Sequence, residues 1–311
     1  MSFSMNTLYR SVGIHKQAFY QYKDRQRAVM DERYQLLWLI AQIRKDHPTM
    51  SARDMYFKLN PASMGRDAFE LFCKREGFSS SRTKNYRRTT DSTGVIRFDN
   101  EIEGLEIIRP NQVWQSDITY FEVNGKFYYL TFIVDACSRM LVGHSVSDRL
   151  TTECTTIPAL QMAIKFRGRA TTSTDSLIFH SDGGGQYYAK KFLDITGRFN
   201  ITNSMCEYAW ENGKAERING VIKNNYLRHK NITSYDALVK EVDRIVYLYN
   251  HDKPHIKLRR KTPFEFETEQ YQKEKKPDQS SNAREEQFQY SSRVNERLRS
   301  SPPLPKTVTV Q

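Results

Sequence analysis

Three β-rich runs follow one another between residues 113 and 147, and they limit the possible folds of this chain more than any other feature. They read VWQSDITYFEV, KFYYLTFIVD and RMLVGHSVS, at residues 113–123, 126–135 and 139–147. Short turn sequences separate runs that are rich in β-branched and aromatic residues, which is typical of antiparallel strands. A mostly apolar run, SLIFHSD, predicts a fourth, buried strand. The short ITNSM predicts a fifth strand.

Helical patterns alternate with the later strands. They predict helices within residues 151–166, 187–199, 211–228 and 234–250. The resulting order β-β-β-α-β-α-β-α predicts an α/β fold, in which helices cover the faces of a mixed five-stranded sheet.

An all-helical region precedes the strands. Residues 5–22 predict two short helices around Gly13, and an apolar helix follows within 31–46. This hairpin fits a DNA-reading helix-turn-helix and fits equally a plain packing hairpin held by apolar residues such as Leu8 and Val12. The predicted organisation is a helical DNA-binding-like region at 1–90, a linker at 91–112, a catalytic core at 113–267 and a disordered tail at 268–311.

Composition narrows the class of partner and the cell compartment. The net charge is +12 with a pI near 9.4, and most of the excess lies before residue 97, which predicts binding to nucleic acid. The four cysteines form no CxxC pair, so we expect reduced thiols and no zinc site. The sequence contains no apolar stretch long enough to predict a membrane span, and its first residues lack a signal-peptide pattern. We therefore expect a cytoplasmic protein.

Three carboxylates stand in positions that suit a metal site. Asp117 lies inside the first β-rich run. An unpaired charge buried there would cost on the order of several kcal/mol. Asp182 ends the fourth run, so adjacency of strands one and four would bring it near Asp117. Glu216 lies on a helix that carries Asn219 and Lys223 on the same face. Hard oxygen ligands suit Mg²⁺ or Mn²⁺, and two such ions can clamp an in-line phosphoryl displacement.

A plain structural interpretation of these residues stays open on this evidence. Asp182 precedes three glycines, and aspartate followed by glycine is common in a turn after a strand. Glu216 taken alone resembles any surface glutamate of a helix.

Five motifs in register carry a resemblance to a known family. They are VWQSDITYF, IVDACSRMLVG, HSDGGGQY, ENGKAERINGVIKN and YNHDKPHIKLRRKTPFE, in that order. Together they resemble the integrase catalytic core of insertion-sequence transposases, in particular the product of the second reading frame in elements with two overlapping frames. The resemblance covers residues 100–267, and more loosely the helical front. It implies a ribonuclease-H-like fold and DNA strand cleavage and transfer by two aspartates and a glutamate that hold divalent metal.

Carried over by motif, the catalytic and metal-binding triad is Asp117, Asp182 and Glu216. The resemblance also gives Asp135 a structural role, paired with Arg139. The residues predicted to touch DNA are Lys214, Arg217, Asn219, Lys223, Arg259, Arg260 and Lys261.

Two departures from the family pattern leave the three ligands in place. The spacing from Asp182 to Glu216 is two residues shorter than is usual, and Gly183 replaces a residue that is usually polar or charged.

The resemblance also implies partners and a setting. These are the terminal repeats of the element, target DNA, an upstream-frame product supplied as a partner or a fusion, and further copies of the chain, all at the bacterial nucleoid. Two alternatives stay open: a catalytically decayed or domesticated DNA-binding regulator, and a simple nuclease on the same fold.

Overall fold

The computed structural model describes residues 4–80, 98–169, 176–206 and 209–274. Its contacts divide the chain into a compact unit, Met1–Phe266, and a second unit, Glu267–Gln311. The basic run at 82–90 lies outside the described residues, and so does the predicted tail from residue 275 onward. No helix of the described part has the length and apolar character needed to cross a membrane.

A five-stranded sheet forms the centre of the first unit. Its strands are β1 (Val113–Val123), β2 (Lys126–Asp135), β3 (Leu141–Ser147), β4 (Leu177–Ser181) and β5 (Ile201–Met205). They lie in the order β3-β2-β1-β4-β5. The first three are antiparallel, whereas β4 pairs parallel with β1 and β5 parallel with β4. This topology confirms the mixed, ribonuclease-H-like sheet.

Helices cover both faces of the sheet. On one face α5 (Thr156–Phe166) and α6 (Lys190–Arg198) pack on side chains such as Ile133. On the other face α7 (Gly213–Gly220) and α8 (Tyr235–His251) pack on Phe132 and its neighbours. The second half of β2 is therefore apolar without alternation, because both of its faces are buried.

Strand β3 begins two residues later than predicted, because the chain first makes a tight turn. The buried Asp135 carboxylate accepts hydrogen bonds from the backbone N–H groups of Cys137 and Ser138, both at 3.0 Å. Arg139 then adopts a left-handed conformation with φ 63° before the strand starts.

The helix predicted at 211–228 is composite. A 3₁₀ turn, Ala209–Asn212, leads into α7, and a π-helical segment, Val221–Tyr226, follows it before a final 3₁₀ turn. A π-helical segment widens the helix and shifts the phase of the residues after it, and such segments are frequent at functional sites.

The N-terminal helices are α1 (Met5–Ser11), α2 (Lys16–Asp46), α3 (Ala52–Leu59) and α4 (Arg66–Arg75). Gly13 makes the predicted bend after α1, with φ 67°. Helix α2 runs unbroken through the two helices that the sequence predicts, because no glycine or proline interrupts it. The residues expected to pack the hairpin are exposed, including Leu8 and Val12 at 52% and 62%.

Polar contacts join these helices to the sheet region. The buried His47 ring lies 2.8 Å from the Tyr226 hydroxyl and 2.7 Å from the Asp252 carboxylate. Lys58 also donates to that carboxylate.

Farther along the chain, α9 (Pro263–Glu274) continues past residue 267, where the sequence predicts the core to end.

Candidate active site

The register of two parallel strands places two aspartates side by side. Strand β4 pairs with β1 as far as Ser181 opposite Ser116. The next residue on each strand is an aspartate, Asp117 on β1 and Asp182 just after β4. Both are half-buried, so the sheet brings two carboxylates together in a poorly solvated place.

This environment disfavours the charge on both groups. Burial first, and then the charges of Asp182 and Glu216, raise the pKa of Asp117 to about 7, although a hydrogen bond from Asn219 lowers it. Burial also raises the pKa of Asp182, although the Gly184 N–H donates to its carboxylate at 3.2 Å. Carboxylates this close resist being ionised together, and a cation between them would relieve both penalties.

Helix α7 packs against the end of β1 through the helix face that carries Glu216 and Asn219. Asn219 is buried and its Nδ2 donates to Asp117 Oδ2 at 2.8 Å. One turn on, Lys223 Nζ donates to the Thr119 hydroxyl at 2.8 Å. Glu216 shares this face but is exposed to solvent, and it acts on Asp117 through its charge.

The structure thus gathers Asp117 and Asp182 and leaves Glu216 at the solvent edge. Nowhere in the described ranges do three or more His, Cys, Asp or Glu side chains stand in a metal-binding arrangement. The donor chemistry nevertheless suits a hard divalent cation, because the two carboxylates present oxygen ligands with little other charge compensation.

The glycine-rich segment forms a tight turn around Asp182. Gly183 has φ 68°, and a Cβ at this position would lie 2.0 Å from the Met205 Cε atom. A 3₁₀ turn follows and buries Tyr187, whose hydroxyl lies 2.9 Å from Ser116 Oγ. The backbone conformation therefore favours glycine, and a Cβ here would in addition force the Met205 side chain to move.

Two residues that sequence reasoning did not single out also fix this strand end. Asn212 is buried and donates to the Ser116 carbonyl at 2.9 Å. Tyr187 reaches the same serine from the other side. An asparagine just before a helix and a tyrosine after a glycine turn are too common for the sequence alone to mark them.

The predicted DNA-contacting residues lie in different environments. Arg217 and Arg259 are exposed, while Lys214 and Lys261 are half-buried. Arg260 lies 2.5 Å from the Asp54 carboxylate and stacks 4.0 Å from the centre of the Phe57 ring. Arg260 therefore contacts the helical region through an ion pair, and Asn219 forms a hydrogen bond with Asp117.

Asp135 has a structural environment, with a different arginine from the expected one. Its carboxylate accepts backbone hydrogen bonds and lies 3.8 Å from Arg167, not in an ion pair with Arg139. Arg139 instead faces a cavity on the other side of α7.

Comparison with known proteins gives a consistent family. Two family models, each described as an integrase core domain, match residues 108–209 and 199–263. The IS600 uncharacterized 31 kDa protein of Shigella sonnei is 27% identical over 270 residues, which is 84% of this chain and 97% of that protein. The chain belongs to the insertion-sequence transposases with an integrase core. Within this integrase core lie both aspartates and Glu216.

Further relatives match shorter parts of the chain. The putative transposase InsK of IS150 from Escherichia coli K12 is 24% identical, covering 61% of this chain and 66% of the relative. The transposase InsF of IS3A from the same strain is 38% identical over 96 residues, 31% of this chain and 32% of InsF.

Solved integrases also align with the integrase core. The HTLV-2 integrase catalytic core domain in complex with magnesium covers 51% of this chain and 98% of its own, at 23% identity and a TM-score of 0.42. A simian T-cell lymphotropic virus intasome covers 84% and 79%, at 20% identity and a TM-score of 0.43.

Proposed function

We propose that this chain cleaves and joins DNA strands as the transposase of an insertion sequence, with Asp117, Asp182 and Glu216 as its catalytic triad. The observation that carries the proposal is the β1–β4 register, which sets Asp117 beside Asp182 at the end of the sheet. The pair has raised pKa values and needs a compensating cation.

In this proposal Asp117, Asp182 and Glu216 hold one or two Mg²⁺ or Mn²⁺ ions. A divalent ion bound there would lower the pKa of an attacking water or 3′-hydroxyl and would stabilise the leaving oxygen. Asn219 orients the Asp117 carboxylate through its 2.8 Å hydrogen bond. Glu216, at the solvent edge of the same face of α7, would supply the third carboxylate.

Two phosphoryl displacements then account for the whole reaction. In the first, a water oxygen bonds to phosphorus at the element end, the P–O3′ bond breaks, and a free 3′-hydroxyl remains. In the second, this 3′-hydroxyl attacks a target phosphodiester and displaces the target's own 3′-oxygen. Bonds are exchanged one for one, so no external energy source is needed.

The basic residues around the aspartates are proposed to bind DNA. Exposed Arg217 and Arg259 are proposed phosphate contacts, with Lys223 beside the carboxylates. We propose that residues 1–90 contribute DNA binding and that terminal-repeat and target DNA are the substrates. Further copies of the chain and an upstream-frame product are proposed partners at the bacterial nucleoid.

A cleavage and joining assay tests the proposal. Labelled terminal-repeat DNA is incubated with the protein and Mg²⁺ or Mn²⁺, with the upstream-frame product both present and absent. We expect nicking and joining, and a loss of both by at least about 10³-fold in Asp182→Ala, because a metal ligand is removed. Asp194→Asn, an exposed acid on α6, is the control. Full activity in Asp182→Ala would refute the triad.

A second function is favoured by one observation, the exposed Glu216 outside any three-ligand cluster of the described residues. A decayed transposase would bind DNA and regulate without cutting it. DNA binding that persists without metal binding would favour this regulator, whereas hydrolysis without joining would indicate a simple nuclease.

A further inference from the structure

A cavity of about 480 Å³ lies on the side of α7 that faces away from the aspartates. The segment from His47 to Asp54 forms one wall, and the loop after α8 forms another. The remaining walls come from the turn after β2 and from α7 itself. The cavity is large enough for a phosphate group with its neighbouring sugar or water.

Five cations line this cavity: Arg139, Lys214, Arg217, Lys253 and Lys257. Across the described residues, none of the five lies within 4.0 Å of a carboxylate. The carboxylate that lines the cavity belongs to Asp54, and it already pairs with Arg260 at 2.5 Å. The cavity lining therefore carries five cations against one carboxylate, which Arg260 already neutralises.

The cations also destabilise one another. Burial lowers the pKa of Lys214, and the neighbouring Arg139 lowers it further. Burial likewise lowers the pKa of Lys253; the charge of Asp54 acts against this shift, and the charge of Arg217 adds to it. Arg139 is held in a left-handed backbone conformation, a strain that is common at ligand sites.

The cavity lining also includes His255, a neutral histidine with one ring nitrogen that forms no hydrogen bond to the described residues. Burial, and then the charge of Lys253, lowers the pKa of His255 to about 3. Its Nε2 has no hydrogen-bond partner among the described residues. A hydroxyl of inorganic phosphate or of a phosphate monoester would supply the missing donor, because a neutral ring nitrogen accepts a hydrogen bond. A DNA phosphodiester carries no such hydroxyl, so it would leave this nitrogen to a water molecule.

Helix spacing separates this cavity from the carboxylates. Lys214 and Arg217, three residues apart, line the cavity. Glu216 and Asn219, also three residues apart, lie on the opposite face toward Asp117. One short helix therefore carries two chemically different faces.

We propose that this cavity is a phosphate-binding site, separate from the aspartate pair, in which lysine and arginine side chains surround one phosphate group. The phosphate belongs either to a DNA backbone or to a small phosphorylated molecule. The site needs no step of the proposed strand-transfer chemistry, so it stands or falls independently.

Thermal unfolding with inorganic phosphate tests the site. Full-length protein is melted in about 10 mM phosphate and in chloride of equal ionic strength, and we expect a gain of about 2–4 °C in phosphate. The variant Lys214→Gln/Lys253→Gln should lose most of this gain. The matched control Lys165→Gln/Lys240→Gln removes two exposed lysines and should keep it.

The same melts separate binding from a structural role. In chloride, the cavity variant should melt no lower than the control variant, because two mutually repelling charges are gone. A drop in chloride together with an unchanged phosphate gain would overturn the proposal, and so would the absence of any gain in wild type. If the double variant fails to fold, the exposed Lys257→Gln should still lower the gain.

Duplex DNA identifies the source of the phosphate. With a 20-base-pair duplex, loss of two backbone contacts should reduce the slope of log affinity against log salt by about two in Lys214→Gln/Lys253→Gln. An unchanged slope with a lost phosphate gain identifies a small phosphorylated molecule. Asp182→Ala should keep the phosphate gain, so a failed triad leaves this result intact.

Discussion

At the scale of single residues, the site depends on what stands next to Asp117 and Asp182. Each aspartate has few donors: Asn219 and the Ile118 N–H for the first, and the N–H groups of Gly184 and of Asp182 itself for the second. The metal-free pair is therefore held at an energetic cost, as is common where function opposes stability.

Removing one of these charges should stabilise the metal-free protein. In a chelating buffer at about pH 8, we expect Asp117→Asn to raise the melting temperature by about 2–4 °C, or about 1 kcal/mol, because the repulsion by Asp182 disappears. Calorimetry measures the shift, with Asp194→Asn as the exposed control. A lower melting temperature in Asp117→Asn would show that the carboxylate is compensated within the chain.

The glycine turn gives a second test at this scale. Gly183→Ala should lower the free energy of unfolding by about 1–2 kcal/mol, because alanine disfavours φ 68° and its Cβ meets Met205. Gly185→Ala is the matched control, since its Cβ would lie 3.5 Å from the Tyr188 hydroxyl, an ordinary contact. Denaturant titration of both variants decides the matter, and equal stabilities would contradict the role given to Gly183.

At the scale of elements, the helical region depends on the sheet region through a few buried polar groups. The hydroxyl of Tyr226, in the π-helical segment, meets His47 at the end of α2, and His47 meets Asp252 after α8. Lys58 of α3 adds its ammonium to the same carboxylate. These contacts join residues 47 and 58 of the helical region to residues 226 and 252, which lie more than 160 residues later in the chain.

Their strength should depend on pH. Burial raises the pKa of Asp252, but the hydrogen bond from His47 and the charge of Lys58 outweigh it and bring the pKa to about 2. The folded-state pKa is thus below that of the unfolded chain. The carboxylate contributes full stability above about pH 4 and loses it as the pH falls toward about 2.

The variant Asp252→Asn should show a flatter loss of stability between about pH 4 and pH 2. It should also be less stable by about 1 kcal/mol at neutral pH, a figure reduced for solvent screening because the side chain is 35% exposed. Melting curves from pH 2 to pH 7 provide the measurement. Asp243→Asn is the control, because Asp243 also contacts a histidine but is 60% exposed. Parallel pH profiles for wild type and Asp252→Asn would exclude this linkage.

At the scale of the whole molecule, the net charge of +12 sets the interaction with DNA. The excess lies mainly before residue 97, whereas the integrase core is nearly neutral. Phosphate contacts of this kind release counterions, so affinity falls steeply with salt.

We expect this chain alone to bind terminal-repeat DNA weakly and to lose that binding by ~0.3 M salt. A gel-shift titration over a range of salt concentrations measures it, with an unrelated duplex of equal length as the control. Tight binding that distinguishes the terminal repeat and resists salt would instead show that this chain reads the element ends without a partner.

Local patterns in the sequence determined the strands and the candidate acids. Alternating and apolar runs predicted all five strands. Successive side chains of a strand point to opposite faces of the sheet, so the local order of residue types shows which faces are buried. The motifs gave the family and marked Asp117, Asp182 and Glu216. The unbroken α2 was not predicted, although the absence of glycine and proline between residues 16 and 46 is a local signal for it. The π-helical segment was not predicted, since packing against distant elements decides where a helix widens.

Tertiary structure alone decided which residues meet. The β1–β4 register set Asp117 beside Asp182, and the docking of α7 made Asn219 a hydrogen-bond donor to Asp117. The packing of the helical region against the loop after α8 paired Arg260 with Asp54, and five cations line one cavity beside α7. Contacts between segments far apart in the sequence depend on how whole elements pack, and no local pattern of residues encodes them.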